Sequence, residues 1–210
     1  MRAPVNSLAY AARRHMRWRR GAPTLSDEHK HDLFCYLDPD DRVECERREA
    51  ELLDAYDLAD LRACSSRVDY RENLYIIDAL ESVLTDQGDL SARNSSVVDV
   101  GAKNWNYVFG LDRYWRHADQ GEDRRVEVIG FEIDGHGVYR DFRSRCDHAT
   151  AYVAQTGSSA VDYRVEDFMA CDRTEVGAVT IFYPFMTRYA LLRWACLYLV
   201  FDQATFSAAL

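Results

Sequence analysis

Five carboxylates sit at the ends of three short apolar runs, and their spacing suggests a ligand edge. "SSVVDVG" delivers Asp99 just before Gly101, "RVEVIGFEID" delivers Glu132 and Asp134, and "SAVDYRVEDF" delivers Glu166 and Asp167. A fourth run, "VGAVTIFYPF", ends in Tyr183, Pro184 and Phe185. An acid at a strand end ordinarily caps the following helix or turns to solvent. Three in succession suit a ligand with hydroxyls, an amine and a positive charge, since ionised carboxylates only accept hydrogen bonds. From Gly101 the segment reads G-A-K-N-W-N, with Lys103 and Trp105 where the glycine turn of a nucleotide-binding fold is expected to carry further glycines. A dinucleotide cradle of the G-x-G-x-x-G type and a P-loop are therefore absent.

The elements that must position these acids follow from periodicity. Up to Gly88 the chain is rich in helix formers. Ser26 is the expected first N-cap, "DRVECERREAELLDAYDLADLRAC" reads as helix, and "ENLYIIDALESVLTDQG" ends where Gly88 would cap it. After Gly88, β-branched runs alternate with the helical stretches "NYVFGLDRYWRH", "VYRDFRSRCDHATAYVAQTG" and "MTRYALLRWACLYLV". Strand and helix in alternation predict right-handed crossovers and a parallel sheet. The expected fold class is α/β, a mostly parallel sheet with helices on both faces, preceded by a helical region. Residues 1–90 form that region and 91–210 the α/β domain. In such sheets ligands bind beyond the carboxyl ends of the strands, where these acids fall.

Composition narrows the function classes. The chain has 210 residues, 48% hydrophobic and 12% aromatic, enough for a substantial core. A net charge of −9 argues against general nucleic-acid binding. The six cysteines form no C-x-x-C pair, which points to reduced thiols and a cytoplasmic location. No apolar run is long enough to span a bilayer; the nearest, "YALLRWACLYLVF", is interrupted by Arg193. "HKH" at His29 to His31 alternates rather than sharing a helix face, and no metal set is expected there. His136, in "DGHG" after the second run, is the one histidine placed for general-base work.

From Ser95 onward the sequence resembles the class I S-adenosylmethionine-dependent methyltransferases. "VVDVGAKNW" is similar to that family's first motif, "VIGFEID" to its second, "YRVEDF" to its third and "VTIFYPF" to its fourth strand. The resemblance implies a Rossmann-like sheet in the order 3-2-1-4, S-adenosyl-L-methionine as cofactor and an unknown methyl acceptor, a small molecule favoured. It assigns the loop to Asp99, Gly101, Ala102 and Lys103, and the ribose to Glu132 with Ile133 beside it. Asp167 falls to the adenine amine, Phe168 to the flank of the ring, and Tyr183 to the acceptor side. It identifies no catalytic residue. Family members continue past strand four, whereas this chain ends at "FDQATFSAAL". The expectation is a C-terminally incomplete domain whose strand 176–183 is an apolar edge able to recruit other chains. The alternative is a binding or scaffolding protein that keeps the fold without the chemistry, as Lys103 and Trp105 in the loop suggest.

Overall fold

The computed structural model describes residues 8, 12–16, 19, 22–84, 96–118, 126–171 and 176–182. Helix α1 (Pro39–Ala55) starts with proline in its first turn, where a missing N–H costs nothing. Asp57, at φ 51°, breaks the expected single helix, and α2 (Ala59–Ala63) and α3 (Arg67–Leu84) follow. Ser26 caps no helix; its hydroxyl donates to Glu28, and the stretch around it has no regular secondary structure. Along α3, Tyr70, Asn73, Leu74, Ile77 and Leu80 are buried at helical spacing, so one stripe faces the core. Gly88, the expected cap of this helix, lies outside the described residues.

Strands β1 (Ser96–Val100), β2 (Val128–Phe131), β3 (Val161–Arg164) and β4 (Val176–Thr180) form one parallel sheet. Its order is β3-β2-β1-β4, that of a Rossmann-like α/β fold. Helices α4 (Val108–Ala118) and α5 (Arg145–Thr156) make the crossovers. α5 is shorter than the sequence suggests. Ser144 and Asp147 build a capping box at its start, and Phe142, at φ 64°, turns the preceding segment into a tight loop. That loop is closed by the Tyr139 N–H on the Arg143 carbonyl.

Residues of successive strands in register share a face. Val97, Val128 and Val161 belong to one core cluster with residues from each of α1 to α5. The helical region and the sheet are thus built around the same core. Val98, Ile129 and Phe131 point the other way and pack with Phe168 and Cys171 beside the short 3-10 turn Phe168–Ala170. Among the described residues β4 pairs only with β1. No helix among them is long and apolar enough to cross a membrane.

Candidate functional site

The site is built where β1 hands over to its loop. Gly101, Lys103 and Trp105 all have left-handed backbone, with φ of 78°, 53° and 53°. These are the alternate positions at which a fully glycine-rich loop carries glycine. A non-glycine residue held there costs about 1–2 kcal/mol, and local bonds offset it. The Lys103 N–H donates to Glu132 Oε2 at 2.9 Å, and its carbonyl accepts the Tyr163 hydroxyl. The Trp105 N–H closes a turn on the Ala102 carbonyl at 2.8 Å. Gly101 and Ala102 both donate to the Phe131 carbonyl, at 2.8 and 3.1 Å, tying the loop to the end of β2.

The bulk of Trp105 goes inward. Its indole lies on the sheet over Gly130, fully buried, with its N–H 2.8 Å from Asp99 Oδ2 and its ring beside Tyr163. Asp99, Gly130 and Tyr163 are neighbours in register, so the glycine in the middle makes room for the ring. Asp99 is wholly buried and also accepts from the Tyr107 hydroxyl at 2.7 Å and the Thr180 hydroxyl at 2.8 Å. Burial pushes its carboxyl up to about 6, while the three neutral donors pull it back.

Glu132 and Asp134 lie at the end of β2, 3% and 4% exposed. Glu132 accepts the Lys103 N–H on one oxygen and the Asp134 N–H, at 2.7 Å, on the other. Arg145, from the first turn of α5, brings Nη1 to 3.5 Å from Glu132 and 3.6 Å from Asp134. That nitrogen is buried yet makes no hydrogen bond. Arg13, in the arginine-rich N-terminal stretch, reaches Asp134 at 3.4 Å. Lys103 is half-buried; desolvation lowers its ammonium, with Glu72 and Glu132 raising it and Arg145 lowering it further.

The helical region closes the other side. From α3, Asp69 and Glu72 accept the Asn106 amide at 2.9 and 2.6 Å, and Asp69 also accepts the Tyr152 hydroxyl at 3.0 Å. Asn73 donates to the Asn106 carbonyl and accepts the Gly110 N–H at 2.6 Å, filling an otherwise unpaired donor in the first turn of α4. Tyr139, raised by burial and drawn back by Arg145, completes the polar wall.

Of the residues expected at the site, Asp99, Gly101, Ala102, Lys103 and Glu132 come together around the loop, and half-buried Ile133 follows Glu132. Asp167 and Phe168 stand at the end of β3. Asp167 caps the 3-10 turn through the Met169 N–H, and the Phe168 ring meets the edge of Phe131 at 5.7 Å. Tyr183 lies outside the described residues. His136 follows the β2 end, and His148, in α5, lies 3.0 Å from Asp141. Arg145, Asp69, Glu72 and Tyr152 join the site without a motif in the sequence that marks them. Helical periodicity alone does not tell which polar residues of α3 and α5 meet a loop thirty or more positions away.

A parallel sheet in the order β3-β2-β1-β4, with its acids and left-handed loop on one edge, makes this a Rossmann-like α/β protein. Comparison with protein-family models, with curated proteins and with solved structures finds no match to the chain.

Proposed function

We propose that the chain is an S-adenosyl-L-methionine-dependent methyltransferase acting on a small molecule. The observation that carries this reading is the left-handed backbone at Gly101, Lys103 and Trp105, with the carboxylate after β2 fixed to the middle of that loop. It is the conformation a glycine-rich cofactor loop would need, reached here without the second and third glycines. Glu132 would take the ribose hydroxyls, since each carboxylate oxygen keeps a second lone pair beside its backbone N–H. Asp167 would take the adenine amine on the oxygen that does not cap the turn, with Ile133 and Phe168 flanking the ring. Methyl transfer from a sulfonium needs alignment more than proton transfer, so positioning by the loop can supply most of the rate. Asp69, Glu72 and Tyr152 would face the acceptor. The free thiols among the described cysteines suit a cytoplasmic location. The outer edge of β4, with Val179 37% exposed, would be the place for association with another chain.

A second reading, a scaffolding protein without catalysis, also has an observation in its favour. The N–H groups of Gly101, Ala102 and Lys103 are all spent within the protein, and Glu132 is nearly covered. An amide-resolved NMR titration with S-adenosylhomocysteine separates the two. The methyltransferase reading expects the amides of Gly101, Lys103 and Asp134 to shift together and saturate. An unchanged spectrum favours the scaffold.

A further inference from the structure

Asp99 plays no direct part in the ligand contacts proposed above, yet it is the most fully enclosed acid of the edge. Its carboxylate joins three separate pieces of chain: the loop through Trp105, the approach to α4 through Tyr107, and β4 through Thr180. On β2 its register partner is Gly130, which adds no polar group, and on β4 it is Thr180. Every side chain bonded to it is neutral, and the titratable one among them is the Tyr107 phenol, itself edge-on to Phe182. Among the described residues no cation pairs with this buried charge, which is the arrangement that favours proton uptake.

Thr180 provides a place for that proton. Its hydroxyl oxygen is 2.8 Å from Asp99 Oδ1 and 3.5 Å from the Val98 carbonyl oxygen. A hydroxyl has one proton to donate and lone pairs to accept with. When Asp99 is ionised, Thr180 donates to Oδ1. When a proton from solvent binds Oδ1, the acid O–H donates to Thr180, which turns its own proton to the Val98 carbonyl. No heavy atom has to move. Trp105 and Tyr107 keep their bonds to Oδ2, but to a neutral oxygen, and such bonds are about half as strong as charge-assisted ones.

We propose that Asp99 is a proton-linked positioning residue: as a carboxylate it clamps Trp105 and Tyr107, and with them the left-handed loop, and on protonation it relaxes that clamp while passing the bond to Thr180. The inference does not depend on which ligand the edge holds.

The test is an NMR titration over roughly pH 3 to 8, reading the Asp99 carboxyl carbon and the Trp105 indole N–H in the parent. Both should move with one midpoint near 6. In Asp99→Asn the indole should stop titrating. In Thr180→Val, which removes a donor to the charged form, the midpoint should rise. A carboxyl carbon titrating near its ordinary value of 3.8 would overturn the proposal, as would an indole that does not follow it. Should either variant fail to fold, the two parent signals decide by themselves.

Discussion

Gly130→Ala probes the contact on which the loop's closure depends. A Cβ built at Gly130 would lie 2.8 Å from Trp105 Cε2 and 2.9 Å from Cδ2 and Cζ2, closer than real Cβ atoms come. To restore van der Waals contact the indole must retreat by at least about 0.6 Å. It cannot do so freely, because it is fully buried and its N–H is 2.8 Å from Asp99. Overpacking of this kind costs about 1–3 kcal/mol. Losing a buried bond to a charged group costs about 1.5–3 kcal/mol more. Reduced freedom of the unfolded chain returns about 0.4–1 kcal/mol. The net loss should be about 2–5 kcal/mol, read as a lower urea midpoint at unchanged slope. Gly157→Ala is the comparator: its Cβ would meet nothing within 4 Å, and only the left-handed backbone at φ 65° is strained, for about 1–2 kcal/mol. In a Trp105→Phe background Gly130→Ala should cost at least about 1 kcal/mol less, since the smaller ring can yield. A Gly130→Ala protein as stable as the parent would refute the reasoning, as would an equal cost in both backgrounds.

Asn73→Ala should destabilise by about 1–3 kcal/mol in urea melts, because it strands the buried Gly110 N–H and the link to Asn106. The contribution of Asp99 to the parent's stability should fall as pH rises between about 4 and 6: it binds its proton more tightly folded than unfolded, so the benefit is full below 3.8 and lost through about 6. The span is up to about 3 kcal/mol. Asp99→Asn should lack this component and be the more stable of the two at pH 7.5, measured by urea midpoints at pH 5 and 7.5.

Much of the sheet was legible because burial on both faces forces β-branched runs such as Val97-Val98, and glycines and acids mark where they stop. The strand order followed from resemblance to a known family, and the structure has it. The loop's conformation was not legible. Lys103 and Trp105 read as bulk at glycine positions, but the left-handed backbone is held by Glu132, Tyr163 and the Ala102 carbonyl, all contributed by the folded surroundings. The sequence predicts an earlier start for α5 because Tyr139 to Arg143 are helix-compatible residues, whereas the Ser144–Asp147 capping box and the turn at Phe142 fix the boundary. Nor did the sequence disclose that Arg145 would lie between Glu132 and Asp134, since that pairing exists only once α5 has packed against the end of β2.

The central claim, that the end of β2 holds the ribose of an S-adenosyl ligand, is tested most directly by calorimetric titration of S-adenosylhomocysteine into the parent and Glu132→Ala. Removing the carboxylate takes away a charge-assisted interaction of about 1.5–3 kcal/mol. The account predicts saturable binding to the parent and an affinity at least about tenfold weaker in the variant, with both proteins folded by circular dichroism. Equal affinities, or no binding to the parent, would contradict it.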